Sequence, residues 1–126
     1  MNVPAQLFAL AAALTHLWIF TMESIRFSRP EVHAMFEVCA ADLAAVRPWA
    51  FHQGCYNALL ALQVLAGLTA ARSGATAAGQ ALVVAASASM LAASVALIAF
   101  DPRRGRIKGL IGQGSPALAT LIALMA

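Results

Sequence analysis

Apolar residues run almost unbroken from Val3 to Ile25, and the only ionisable side chains in that run are His16 and Glu23. Three more apolar stretches follow, at about 48–71, 76–100 and 107–125. A helix that crosses about 30 Å of hydrocarbon needs roughly 20 such residues, so each stretch, with a first at about 4–25, is predicted to be a membrane span. Open strands are excluded, because lipid cannot satisfy their backbone groups. The predicted fold is therefore all-α: a four-helix transmembrane bundle with short connections, a single integral membrane domain over residues 1–126.

The segment between the first two spans has its own pattern. Ser28 and Glu31 have capping-box spacing, and Pro30 suits a first helical turn. Val32, Met35, Phe36, Cys39 and Leu43 then recur at helical intervals, with Glu31, His33 and Glu37 off that face. This predicts a short amphipathic interfacial helix over 30–43, a surface anchor or a lid over the bundle mouth, with His33 in solvent. The third span is built of small residues, among them Ala85, Ala86, Ser87, Ala88, Ser89, Ala92, Ala93 and Ser94. Such residues let helices approach closely, which makes this span scaffold and a candidate homodimer surface. Its serines are expected to bond to their own backbone carbonyls.

Composition supports this picture. The 126 residues are 62% hydrophobic and only 10% charged, against about a quarter in soluble domains. The basic residues lie in the loops: Arg26, Arg29 and Arg47 in the first, Arg72 in the second, and Arg103, Arg104, Arg106 and Lys108 in the third. The positive-inside rule puts the first and third loops in the cytoplasm and both termini outside. The third-loop cluster is expected to touch anionic membrane lipids. No basic stripe interleaved with aromatics marks a nucleic-acid binder. Cys39 and Cys55 form no metal spacing, and the N-terminus reads as a retained first span, with no basic signal-peptide start.

Against this background the polar residues inside the spans are informative. An intramembrane carboxylate costs a few kcal/mol and needs a reason. His16 and Glu23 fall on nearly one helix face, roughly 10 Å apart along the axis. The second span reads His52-Gln53-Gly54-Cys55-Tyr56-Asn57, in which Gln53, Tyr56 and Asn57 have the i, i+3, i+4 spacing of one face. The fourth contributes Gln113-Gly114-Ser115-Pro116, where Pro116 frees a carbonyl near Gly112 and predicts a kink. At about 1.5 Å per residue, Glu23, Gln53, Tyr56, Asn57 and Gln113 share the cytoplasmic half of the bilayer, with His16 near its middle. A polar pocket opening to the cytoplasm is expected, with His52 and Pro116 as candidate members.

The segments His16-Leu-Trp-Ile-Phe-Thr-Met-Glu23, Gln53-Gly-Cys-Tyr-Asn57 and Gln113-Gly-Ser-Pro116 together resemble the small bacterial four-span membrane proteins called "domain of unknown function 1304". That resemblance covers nearly the whole chain and implies an uncharacterised multi-span membrane protein, but supplies no activity, substrate or cofactor; the expected location is the bacterial inner membrane.

Three functional readings remain open from the residues. In the first, Glu23 exchanges a proton as a small molecule binds and crosses, and His16 extends the relay. In the second, His16 and Glu23 act as acid and base on a lipophilic substrate that Tyr56, Asn57 and Gln113 orient, as in an isomerase. In the third, the chain is an accessory subunit, and Glu23 merely pairs with Arg26. No cofactor is expected, and no metal, since His16, Glu23 and His52 contain no close i, i+3 or i, i+4 ligand pair.

Overall fold

The computed structural model describes residues 1–100 and 104–126. Helix α1 spans Val3–Phe20 and continues through a π-helical turn, Thr21–Ile25. A short helix α2, Pro30–Met35, and a 3-10 turn, Ala40–Asp42, lead into the long helix α3, Leu43–Arg72. Helix α4 spans Thr76–Phe100. The last rod is α5, Arg104–Gly109, a second π-helical turn, Leu110–Gly114, and α6, Ser115–Met125. Four helical stretches are long and apolar enough to cross a bilayer: Val3–Ile25, Ala40–Arg72, Thr76–Phe100 and Gly105–Met125. The expected all-α bundle of four apolar spans is therefore present, and no strand occurs among the described residues. Arg103 of the predicted basic cluster lies outside the described residues.

Helix α3 packs against α1 and α4, α6 packs against the same two, and α1 and α4 barely touch across the diagonal. The order around the bundle is thus α1, α3, α4, α6. Its core is made of small side chains: Ala9, Ala12 and Ala13 of α1, Ala61 and Val64 of α3, Val83, Ala86 and Met90 of α4, and Ala117 of α6. Lipid tails are as apolar as these residues, so close van der Waals packing, not burial from water, holds the helices together. Gly67 and Gly79 mark a close backbone approach of α3 to α4. The small residues of α4 divide accordingly: Ala86, Ser87 and Ser94 face in, while Ala85, Ala88, Ser89, Ala92 and Ala93 face out. Ser89 and Ser94 bond to carbonyls of their own helix as expected. Ser87 does not, and its buried hydroxyl has no hydrogen-bond partner among the described residues.

Several local expectations need correction. The second helix starts at Leu43, well before the expected start at Pro48, which lies inside it. Proline costs α3 one backbone bond to Ala44, but Ala44 is exposed at the helix end, where the carbonyl can find another donor. The expected 30–43 helix ends at Met35, because Glu37 takes a left-handed φ of 59° that no helix continues through. Pro30 does occupy the first turn, but Arg29 is the N-cap, without a side-chain cap, so Ser28 and Glu31 form no capping box.

Instead, the turn is closed by His33, whose Nδ1 donates to the Val38 carbonyl at 2.8 Å, while the Val38 N–H donates to the His33 carbonyl at 2.9 Å. His33 is only 8% exposed, contrary to the expectation of a solvated residue. Val32 and Phe27 are buried, and the Phe27 and Phe36 rings meet at 5.9 Å, whereas Met35 and Cys39 of the expected apolar face are exposed. The Glu37 carboxylate lies against Gly105 where a Cβ would otherwise stand, joining the first loop to the start of the last rod. Removing the His33 ring should unlock this turn at a cost of about 1 kcal/mol. His33→Ala is expected to become cleavable between residues 33 and 42 under limited proteolysis that leaves the parent chain intact there.

Candidate functional site

The site begins where α1 changes its winding. The Thr21 hydroxyl donates to the Leu17 carbonyl at 3.0 Å, and the Thr21 N–H is shared between Leu17 and Trp18. This competition for one carbonyl loosens the helix, and the next turn closes as a π turn with Arg26 N–H donating to Thr21 O at 2.9 Å. Single π turns inside α-helices recur at functional sites. Here the turn carries Glu23 and Ser24 toward α3. Gly54 receives them: a Cβ there would overlap the Ser24 Oγ and lie 3.1 Å from the Glu23 Cβ. The close approach lets Ser24 Oγ donate across the interface to the Phe51 carbonyl at 3.0 Å.

One helical turn deeper on α3, Asn57 Nδ2 donates to Glu23 Oε2 at 2.9 Å and to the Gln53 carbonyl at 3.2 Å. Asn57 is only 5% exposed, and Glu23 is half-buried. Both Asn57 amide hydrogens are used, which fixes the orientation of the amide. Asn57 Oδ1 and Glu23 Oε1 make no hydrogen bond among the described residues, and no basic side chain pairs with Glu23 there. Arg26, the expected alternative partner, makes no hydrogen bond or ion pair with it. The hydrogen-bonded pair therefore keeps two open acceptors, one on each side chain, within the long apolar helices. Their chemistry suits a hydrogen-bond donor: a proton, an ammonium group or a hydroxyl.

The other expected members are placed differently. His16 is 1% exposed, and its Nδ1 faces the Ala12 carbonyl at 2.9 Å. A carbonyl only accepts, so Nδ1 carries the hydrogen, and Nε2 is left as an acceptor with no bond among the described residues. Tyr56 and His52 are exposed and pack edge-to-face with each other at 4.8 Å. Gln53 is exposed as well. Gln113 and Pro116 are half-buried, and Gln113 lies in the second π turn without a side-chain hydrogen bond among the described residues. That π turn stands where a kink was expected: the wider winding accommodates a Pro116 that has no N–H for Gly112. Of the six residues, the structure joins Glu23 to Asn57, keeps His16 inside α1's buried face, and leaves Gln53 and Tyr56 on the outside.

A family model described as "Protein of unknown function (DUF1304)" matches residues 10–125. The chain belongs to the DUF1304 family. The match takes in both π turns, Glu23, Asn57 and Gln113 of this DUF1304 chain. No curated protein and no solved structure is detectably similar to it. Two residues of the site went unnoticed in the pattern of the sequence, Ser24 and Gly54. A signal for both existed: a hydroxyl beside the intramembrane acid, and a glycine one turn before the asparagine, the two kinds of residue that let membrane helices approach and bond.

Proposed function

We propose that this DUF1304 protein lies in the bacterial inner membrane with both termini outside, and that it binds a small donor-bearing molecule at Glu23 and Asn57 and moves it across the bilayer with protonation of Glu23. The observation that carries the reading is the 2.9 Å bond from Asn57 to a carboxylate that has no cationic partner among the described residues. A structural carboxylate in a membrane is normally matched by a cation or by several donors. This one holds a single amide donor and keeps one oxygen open, as a group that exchanges a proton for a ligand must. The π turn supports the reading as well, because a locally rewound helix can return to α-winding and so shift Glu23 relative to α3. The orientation rests on the seven basic residues of the first and third loops against one in the second.

The acid/base enzyme reading has less support. It needs His16 and Tyr56 around one substrate, and Tyr56 is exposed while the His16 Nδ1 is held by its own helix. Proton release separates the readings. Purified protein in a weakly buffered detergent solution, titrated with primary and tertiary alkylammonium probes, should release close to one proton per bound probe. In Glu23→Gln, release should disappear. Binding with no proton released from the parent chain, or equal release from Glu23→Gln, contradicts the proposal.

A further inference from the structure

At the opposite end of the bundle, away from Glu23, a groove of about 560 Å³ lies between α1 and α3. Its walls are Leu7 and Leu10 of α1 and Leu65 and Leu68 of α3, and its mouth is formed by Gln6 and Arg72. Leu7 is 62% exposed and Leu10 39%, so the groove opens sideways from the bundle, where the bilayer lies. Arg72 is held in a fixed pose: its Nε and Nη2 both donate to Gln6 Oε1, at 3.1 and 3.0 Å. Gln6 is itself anchored, since its Nε2 donates to the Met1 carbonyl at 3.0 Å.

This arrangement orders a guanidinium without neutralising it. A glutamine oxygen carries no charge, and two of the five guanidinium N–H donors satisfy it. Three donors remain. Among the described residues no acidic side chain belongs to this end of the bundle: Glu23, Glu31, Glu37 and Asp42 all fall in or beside the first loop. Arg72 is likewise the only Lys or Arg of this end among the described residues. A preorganised, uncompensated guanidinium above a strip of leucines complements a ligand with an anionic oxygen head and an apolar tail. Guanidinium groups recognise phosphate oxygens through several N–H donors at once.

We propose that the groove is a binding site for an anionic phospholipid, with its phosphate on Arg72 and one acyl chain along Leu68, Leu7, Leu65 and Leu10. The seven residue steps from Arg72 to Leu65 span roughly 10 Å along α3, which places the leucines below the head-group level when Arg72 sits at it. The site is independent of the Glu23 reading and stands or falls separately.

The test uses the full chain in nanodiscs of phosphatidylcholine carrying a trace of phosphatidylglycerol with a photoreactive diazirine in its acyl chain. After illumination, peptide mass spectrometry should find the label on residues 6–10 and 65–73. Arg72→Gln should lower labelling of these two segments about five-fold, the factor one basic residue contributes near an anionic membrane surface. Labelling around Lys108 should not change. Leu68→Trp, which fills the groove with Arg72 intact, should lower labelling as well. The corresponding diazirine phosphatidylcholine should label no better than the Arg72→Gln background, and excess soluble glycerol phosphate should not compete. Equal labelling by the two lipids, or labelling insensitive to both variants, overturns the site. Competition by glycerol phosphate overturns the lipid assignment in favour of a free phosphate ester.

Discussion

Gly79→Ala is expected to push α4 away from α3 and to destabilise the bundle by about 1–3 kcal/mol, the usual cost of forcing an extra methyl into a packed interior. The magnitude follows from what the methyl would meet. A Cβ on Gly79 would stand 2.5 Å from the Ala71 nitrogen, 2.5 Å from the Gly67 carbonyl oxygen and 2.9 Å from the Ala71 Cα. All three are backbone atoms. A side chain in the way can rotate, but backbone can yield only if a whole helix moves. The facing position is somewhat less tight, since a Cβ on Gly67 would lie 2.8 Å from the Gly79 oxygen and 2.9 Å from Val83 Cγ2. Membrane helices have little hydrophobic force to reseat them once separated, so the loss is not recovered by repacking. Gly79→Leu should abolish the native bundle. Gly112→Ala is the control, because its new methyl meets nothing within 4 Å. Steric-trap unfolding in bicelles should find that control unchanged or more stable by up to about 1 kcal/mol.

The second large effect belongs to Asn57→Leu, which keeps the branched shape and heavy-atom count of the side chain and removes its donor. Asn57 supplies the one hydrogen bond Glu23 makes among the described residues. Without it, a half-buried carboxyl group loses its partner in a medium that offers no replacement. Leaving such a group unsatisfied costs about 1–3 kcal/mol. The neighbouring bond from Ser24 to the Phe51 carbonyl does not involve the amide and should survive, so α1 and α3 are expected to stay together. Asn57→Leu should therefore fold with lowered stability and lose probe-linked proton release. A fold as stable as the parent chain would mean that the amide contributes nothing to holding Glu23.

Much of the architecture could be read from hydropathy because each span is a long apolar run, and lipid allows few other structures. The approach of Glu23 to Asn57 could be anticipated in part, since matching depth on antiparallel helices follows from the rise per residue. The exposure of Tyr56 and Gln53 could not. Spacings of i, i+3 and i+4 define one side of a helix only broadly: at about 100° per residue, Tyr56 stands a quarter-turn from Asn57. Which part of that side a neighbour covers depends on how the helices cross, and that is a property of the assembled bundle. The first loop failed for a different reason. Its apolar periodicity continues past Met35, but a single residue at positive φ, Glu37, ends the helix, and periodicity carries no information on the sign of φ. The two π turns differ from each other in the same way. Pro116 announced a disturbance near Gly112, whereas Thr21 acts through a hydroxyl bond to Leu17 that an ordinary α-helix also permits.

A double-mutant cycle between Glu23 and Asn57 tests the account most directly. The stabilities of Glu23→Leu, Asn57→Leu and the double variant are measured against the parent chain by steric-trap unfolding in bicelles. If the two side chains form one interhelical site, the double variant is less destabilised than the sum of the singles, with a coupling of about 0.6–1.7 kcal/mol, the range of polar pairs between membrane helices. Single-variant losses that add to within about 0.3 kcal/mol would show two independent residues and contradict the site.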